Sequence, residues 1–329
     1  MMRPKILVTR IIPQIGLQIL GEKYDLIINE RDLPMTADEI TARAADVVGI
    51  LCLLTDRIDS TVMEASPGLV GIANYAVGYD NIDIAAATAR GIPVSNTPGV
   101  LTDATAELAI ALMFACARRV PEAERFVRSG AWRGWGPMQF LGADITGATL
   151  GIIGMGKIGQ AVGRRGHGLG MRIVYHEEAP LAEAALGFEA HPLTLPELLS
   201  VSDFVSLHIP LTEKTRHLIG ARELSSMKPT AFIINTSRGP VMDEAALADA
   251  LANGVVAGAG LDVYEQEPAI GPELLRLDNC VLLPHIGSAT ISTRDRMART
   301  AAENLTAMIQ RTEIPNLVNP DYVNHRPKE

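Results

Sequence analysis

A glycine-rich segment follows an apolar run and precedes a stretch with helical periodicity. The run 150–153 predicts a strand, and the glycines after it have GxGxxG spacing. In that context Gly154 makes a tight turn, Gly156 lets a pyrophosphate approach the backbone, and Gly159 packs the helix closely on the strand. We expect the free N–H groups of 155–158 to point at the phosphates, helped by the helix dipole. An incidental glycine-rich turn is the alternative. The predicted phosphate-binding residues are Gly154, Met155, Gly156, Lys157, Ile158 and Gly159.

Two acidic residues end the next predicted strand. Glu177 follows Gly159 at about the 20-residue separation expected of the acid that binds the adenosine ribose diol. A carboxylate there would repel a 2′-phosphate, and no Arg or Lys follows through Leu181 to bind one. We therefore expect NAD as cofactor, with NADH preferred and NADP as the other possibility. A solvated acidic loop is the alternative interpretation.

Three groups suited to acid–base and anion-binding chemistry come after later apolar runs, where ligands of open parallel sheets bind. Singly, Arg238, Glu267 and His285 could be a surface cation, a solvated acid and a strand-end cap. Together they meet the needs of 2-oxo acid reduction. The guanidinium grips a carboxylate or polarises the keto oxygen, and the imidazolium protonates that oxygen as hydride reaches carbon 2. A carboxylate beside the imidazole orients it and raises its pKa.

The bulk properties of the chain exclude other classes of function. Its 329 residues suffice for roughly two domains. A net charge of −9, without a Lys/Arg run, argues against nucleic acid and membrane surfaces as partners. No apolar stretch approaches the ~18 residues of a membrane span. Cys52, Cys116 and Cys280 are far apart and fit reduced thiols in the cytoplasm. The histidines lack metal-ligand spacing, so we expect no metal.

The elements that position these groups form two series of short apolar runs alternating with amphipathic stretches. This alternation predicts parallel βαβ units, and hence an α/β fold with two doubly wound parallel-sheet domains. A helix from Thr102 or Asp103 to about Arg118 separates the series, and an irregular arm occupies 129–147. A last long helix, 291–309, fits either domain. The predicted strands are 6–8, 26–28, 47–54, 69–73, 92–94, 150–153, 173–175, 204–209, 232–235, 256–262 and 281–283.

Over essentially its whole length the chain resembles the D-isomer-specific 2-hydroxy acid dehydrogenases, and within them the glyoxylate/hydroxypyruvate reductases. The resemblance implies that Arg238, Glu267 and His285 are the catalytic trio. It implies a Rossmann NAD-binding domain over 101–287 and a discontinuous, flavodoxin-like substrate domain formed by 1–100 with 288–329. It also implies a homodimer joined through the long helix and the arm. The segments that carry it are 74–83, 96–107, the glycine loop, 235–239 and 284–289.

The same resemblance implies the residues around the two ligands, the cofactor and a small anionic 2-oxo or 2-hydroxy acid. Backbone N–H groups near Val77 and Gly78 hold the substrate carboxylate, and we expect Leu53 to shape the substrate pocket. Asp262 lies near the nicotinamide carboxamide. The residues implied for the cofactor cleft are Thr105, Pro210, Thr236, Ser237, Arg238, Asp262, His285 and Gly287.

Departures from related patterns leave some alternatives open and weaken others. Many glyoxylate reductases of this type look NADP-preferring, with a small polar residue and Arg where this chain has Glu177 and Glu178. Phosphonate dehydrogenases resemble the chain but place Lys at Val77, and formate dehydrogenase-like chemistry would need Gln at Glu267. A broad-specificity D-2-hydroxy acid dehydrogenase stays open, because one hydroxymethyl group shifts specificity by only ~1–3 kcal/mol. An NAD-sensing corepressor-like protein is the alternative outside enzymes, and the catalytic trio argues against it.

The arm concentrates bulky apolar groups in a chain of which aromatic residues are only 4%. One interpretation is packing within the dimer. The other is that an arm residue closes the substrate pocket, even across the subunit interface. The residues concerned are Trp132, Trp135, Met138 and Phe140.

Overall fold

The computed structural model describes residues 3–178 and 186–325. The chain divides into two compact units, one made of Met1–Leu101 with Ala289–Glu329 and the other of Thr102–Ser288. Residues 179–181, on which the predicted lack of a cation after Glu177 partly depends, lie outside the described residues.

The first unit is built on a parallel sheet, which has five strands within the described residues. Their spatial order is β2-β1-β3-β4-β5, which is the flavodoxin-like order. β3 and β4 are buried throughout, which explains why their sequences read as continuous apolar runs. The strands are β1 (Lys5–Val8), β2 (Asp25–Ile28), β3 (Gly49–Cys52), β4 (Gly71–Asn74) and β5 (Val94–Ser95).

Helices cover this sheet, and one of them comes from the far end of the chain. That helix, α11, begins after the N-cap Thr290 and packs against β3 and β4. The packing is close: a Cβ added to Gly71 would lie 2.6 Å from the sulfur of Met308. Likewise, a Cβ on Gly16 would lie 2.9 Å from the carbonyl oxygen of Ala298. The helices are α1 (Gln14–Gly21), α2 (Ala37–Ala44), α3 (Ser60–Glu64), α4 (Ile84–Ala89) and α11 (Ile291–Gln310).

The second unit contains a parallel sheet with seven strands among its described residues. The order is β12-β11-β10-β9-β6-β7-β8, so the direction of progression reverses between β6 and β9. This is the doubly wound Rossmann order with one further strand. The two sheets confirm the predicted fold class. The strands are β6 (Thr149–Ile153), β7 (Arg172–His176), β8 (His191–Pro192), β9 (Phe204–Leu207), β10 (Phe232–Asn235), β11 (Gly258–Leu261) and β12 (Cys280–Leu282).

The helices of the second unit include one that the sequence pattern did not predict. The long helix α5 ends at Ala117, and Arg119 takes a left-handed φ of 52°. A separate helix, α6, then begins with Pro121 in its first turn, a position that suits proline. The helices are α5 (Thr102–Ala117), α6 (Val120–Arg128), α7 (Lys157–Gly168), α8 (Leu195–Val201), α9 (Ala221–Ser225) and α10 (Glu244–Ala252).

The arm is irregular, as predicted, and most of its bulky side chains are exposed. Trp135 is 84% exposed and Met138 is 77% exposed. Phe140 instead packs edge-to-face on Phe126, with ring centroids 5.2 Å apart, and the guanidinium of Arg119 lies over its ring. In the described part of the chain, no helix combines the length and apolar character needed to cross a bilayer.

Candidate active site

The glycine loop joins β6 to α7 at the point where the strand order reverses. Gly154 has φ 93°, and a Cβ there would lie 2.6 Å from the carbonyl oxygen of His208. A Cβ on Gly159 would lie 2.0 Å from the carbonyl oxygen of Gly154, so this helix–loop contact excludes any side chain. Around Gly156, by contrast, nothing lies within 4 Å of an added Cβ. The first and third glycines thus shape the turn, and the second leaves backbone open to a ligand.

The N–H groups of the loop differ from the sequence prediction at one residue. Those of Gly156, Lys157 and Ile158 open the first turn of α7 and have no acceptor within the helix. The Met155 N–H, which was expected to be free, donates to Oε2 of Glu177 at 2.6 Å. The reason is electrostatic, because a carboxylate is favoured at a helix N-terminus. Three N–H groups, rather than four, are therefore available to a phosphate.

Glu177 is anchored at the end of β7 by this bond, and its other oxygen can accept from a ribose hydroxyl. A cation also lies in this region, although the local sequence showed none. Lys214, from the segment after β9, has its Nζ 3.8 Å from Oε1 of Glu178. Both side chains are largely exposed, so the pair contributes little to stability. A sequence search confined to the residues after Glu177 could not have found it.

His285 and Glu267 are brought together as predicted from their chemistry. Nδ1 of His285 lies 2.8 Å from Oε2 of Glu267, and each side chain is 25% exposed. Oε1 of Glu267 accepts the Tyr264 N–H at 3.1 Å, which fixes the carboxylate. Because Nδ1 is bonded to the carboxylate, Nε2 is the ring nitrogen that can exchange a proton with another group. His285 also has φ 54°, a left-handed conformation that is uncommon for a residue with a side chain and recurs at active sites.

Asp262 holds this unusual backbone in place. It directly follows β11, is fully buried, and accepts the N–H groups of Ile286 and Gly287 at 2.7 Å each. Burial raises the pKa of the Asp262 carboxyl, and these N–H bonds partly offset that rise. The resemblance placed Asp262 beside the cofactor, but its role in fixing the segment after His285 was not foreseen.

Arg238 follows β10, the strand that neighbours β11 in the sheet. The Asn235 side chain shapes its loop: Nδ2 donates to the Arg238 carbonyl at 2.9 Å, and Oδ1 accepts the Ser237 N–H at 3.0 Å. A Cβ on Gly239 would lie 1.9 Å from the carbonyl of Tyr264, so the Arg238 loop packs directly on the Glu267 loop. The carboxyl ends of β10, β11 and β12 therefore bring all three loops to one edge of the sheet.

Further residues expected in the cofactor cleft lie in the same unit. The Thr236 hydroxyl is buried and has no hydrogen-bond partner among the described residues. A Cβ on Gly287 would lie 3.5 Å from the Thr105 methyl, so α5 and the His285 loop meet here. Pro210 follows β9 and is exposed. An unpartnered buried hydroxyl and three open N–H groups provide donors suited to a polar, anionic cofactor.

Three of the residues expected to bind substrate, Leu53, Val77 and Gly78, lie in loops of the first unit, after β3 and β4. The Leu53 N–H donates to Oδ2 of Asp56 at 2.7 Å. Side-chain amides bond the carbonyls of the other two residues: Asn96 to Val77 at 2.7 Å, and Asn74 to Gly78 at 2.8 Å. These loops are thus fixed by the buried side chains of Asp56 and Asn74 and by the partly buried side chain of Asn96, whose role in fixing them sequence reasoning had not identified. In the described ranges, no cluster of three or more His, Cys, Asp or Glu side chains could hold a metal.

A Rossmann unit with an open glycine loop, and a His–Glu pair on the same sheet edge, define a nicotinamide-dependent oxidoreductase. The family model for the NAD-binding domain of the D-isomer specific 2-hydroxyacid dehydrogenases matches residues 110–287. The chain belongs to this family, which confirms the resemblance inferred from the sequence.

Relatives match over the full length. The glyoxylate reductase of Korarchaeum cryptofilum is 53% identical over 332 residues, covering 99% of each chain. That of Thermococcus litoralis is 48% identical over 330 residues, covering 99% of this chain and all of its own. Among solved structures, an NADPH-dependent glyoxylate/hydroxypyruvate reductase from Sinorhizobium meliloti, in complex with NADP and malonate, matches with a TM-score of 0.86 and 38% identity, covering 99% of each chain.

Proposed function

We propose that the protein reduces glyoxylate or hydroxypyruvate to the corresponding D-2-hydroxy acid, using NADH in preference to NADPH. The observation that carries this proposal is the 2.8 Å contact between His285 and Glu267 in the unit that bears the glycine loop. The names of the full-length relatives support the choice of substrate. A dehydrogenase of broader specificity is the alternative, because the two substrates differ by a single hydroxymethyl group.

The chain's own groups account for everything except the hydride, which a bound nicotinamide supplies. Arg238 binds the substrate carboxylate or polarises the keto oxygen. Nε2 of His285 donates a proton to that oxygen as carbon 2 is reduced, and takes it back in the reverse direction. Glu267 keeps the imidazole oriented through its 2.8 Å contact with Nδ1. For the substrate we retain the proposed N–H groups near Val77 and Gly78, with Leu53 shaping the pocket.

The proposed cofactor site uses the N–H groups of Gly156, Lys157 and Ile158 for the phosphates and Glu177 for the ribose. Thr105, Pro210, Thr236, Ser237, Asp262 and Gly287 complete it. The preference for NADH is supported by the anchored carboxylate of Glu177, which would face a 2′-phosphate. Lys214 is the group that could weaken this preference. A value of kcat/KM with NADPH that equals or exceeds the value with NADH would overturn it.

The decisive experiment is a steady-state panel of glyoxylate, hydroxypyruvate, pyruvate and a bulky 2-oxo acid, each with NADH and with NADPH. We expect the first two to be reduced most efficiently. His285→Gln serves as the matched control, since it should bind NADH without turnover. A wild-type protein that binds NADH but reduces none of the four acids would instead support a corepressor-like role.

The proposal also covers the roles of the two domains and the oligomeric state. We assign dinucleotide binding to 101–287 and substrate binding to 1–100 with 288–329. A homodimer is supported by the apolar groups that the second unit exposes on α6 and the arm, Val127 and Trp135 among them. Sedimentation of the wild-type protein tests that assembly. A cytoplasmic location stays a prediction, based on three cysteines that are buried and unpaired.

A further inference from the structure

Glu244, in the first turn of α10, forms two hydrogen bonds to the loop that carries Glu267. Its Oε2 accepts the Glu265 N–H at 3.0 Å, and its Oε1 accepts the Gly271 N–H at 2.7 Å. These two N–H groups lie on either side of Glu267 in the sequence. One carboxylate therefore ties both ends of the loop to a helix of the second unit.

We propose that Glu244 is a positioning residue for the reaction, which acts by fixing Glu267 against His285. This inference rests on the proposed function. Glu244 bonds to neither Glu267 nor His285, so its effect on them passes through the backbone of the loop. It lies six residues beyond Arg238 in the chain, so the segment after β10 both supplies the anion-binding group and braces the loop of the proton-transfer pair.

Loss of the two Glu244 hydrogen bonds would displace Glu267, because both bonds hold the loop to which Glu267 belongs. It closes on itself, because the Ala269 N–H donates to the Gln266 carbonyl at 2.8 Å, so a displaced end would carry Glu267 with it. Two further side-chain contacts are made by the loop: Glu265 forms a partly exposed ion pair with His217, and Glu267 accepts the Tyr264 N–H from within the loop itself. Exposed pairs contribute little, whereas carboxylate bonds to backbone N–H groups are among the stronger hydrogen bonds.

A carboxylate is required at this position because both partners are donors. The amide of glutamine has a single acceptor oxygen, so Glu244→Gln would set an NH2 group against one of the two N–H groups. That end of the loop would move away. A misplacement of about 1 Å in a catalytic group costs roughly 100-fold in rate. We therefore expect Glu244→Gln to lower kcat by about 10- to 100-fold, with the Kd for NADH unchanged.

The separation of kcat from cofactor binding gives a readout that a purely structural role would not move. A displaced Glu267 affects proton transfer at His285 and not the N–H groups of the glycine loop, so kcat should fall while the Kd for NADH keeps its wild-type value. A general loss of structure would instead weaken NADH binding and lower Tm together with kcat. Partial rescue by Glu244→Asp, which restores a carboxylate at the same position, is the second readout.

The experiment compares Glu244→Gln with Glu273→Gln, which removes the same charge from an exposed carboxylate near Gly271. We expect the first to lower kcat with an unchanged Kd for NADH, and the second to change neither. Equal effects in both variants, a wild-type kcat in Glu244→Gln, or a fall in kcat with an equal weakening of NADH binding would overturn the proposal. If Glu244→Gln does not fold, Glu244→Asp decides, since it keeps both oxygens but withdraws them and should give an intermediate kcat. A wild-type protein without turnover would refute the proposed function, whereas an active wild type with the same kcat in Glu244→Gln would refute only the role of Glu244.

Discussion

The glycine loop offers a substitution that should separate cofactor binding from folding. Gly156 is the N-cap of α7 with φ −67° and ψ −167°, a conformation that alanine adopts without strain. An added Cβ meets nothing within 4 Å. Gly156→Ala should therefore change the free energy of unfolding by less than about 1 kcal/mol in either direction.

In the proposed cofactor site, the same methyl group would stand where the pyrophosphate approaches the backbone. Hydrogen bonds to a charged group contribute about 1.5–3 kcal/mol each, so the loss of one raises the Kd by about 10- to 150-fold. We expect that increase in the Kd for NADH of Gly156→Ala, measured by fluorescence titration. Thermal unfolding of the same samples measures the stability.

Two other glycines of α7 provide controls. A Cβ on Gly168 also meets open space, but at the far end of the helix, so Gly168→Ala should leave the Kd unchanged. A Cβ on Gly159 would lie 2.0 Å from the Gly154 carbonyl oxygen, against about 3.5 Å for an unstrained contact. Gly159→Ala should therefore lower Tm clearly. The reasoning is refuted if Gly156→Ala binds NADH within twofold of the wild type, or if Gly159→Ala keeps the wild-type Tm.

Three further predictions follow from single side chains. His285→Gln should lower kcat by roughly 10²- to 10⁴-fold with an unchanged Kd for NADH, and a wild-type kcat would remove His285 from the mechanism. Burial lowers the pKa of His208 in the folded protein to about 3. Between that value and the ordinary pKa of histidine, only the unfolded chain takes up the proton, so the free energy of unfolding falls as the pH falls. The wild type should lose about 1.4 kcal/mol more of unfolding free energy between pH 7.5 and pH 5.5 than His208→Gln; equal losses in denaturant titrations would contradict this. Trp135→Ser should raise the dimer dissociation constant in sedimentation, whereas an intact dimer with a raised KM for the 2-oxo acid would favour pocket closure.

The sheets were predictable because parallel strands buried on both faces must be apolar runs. The predicted strand 232–235 coincides with β10 (Phe232–Asn235). The predicted strand 47–54 was too long, since the ladder covers only Gly49–Cys52 although apolar residues continue beyond it. Local pattern therefore locates a strand, but the ends depend on where the neighbouring strand stops.

Residue types predicted which groups to consider for the site, but they could not predict its geometry. No local signal marks the left-handed backbone of His285, because it is imposed by Asp262 from another strand. The bond from Met155 to Glu177 and the approach of Lys214 to Glu178 likewise join segments that are remote in sequence. Such contacts exist only once the strand order is known, whereas the glycine fingerprint is local and could be found directly.

The position of α11 affects how the protein folds during synthesis. Domains generally fold as units while the chain emerges. Thr102–Ser288 is continuous and can complete its core as soon as it leaves the ribosome. The first strands, by contrast, must wait for the helix that ends at Gln310, which at about 5–20 residues per second arrives roughly 10–40 s after Leu101. During that interval β3 and β4 lack the helix that packs on them, so the nascent amino-terminal segment has apolar surface that is still exposed to water.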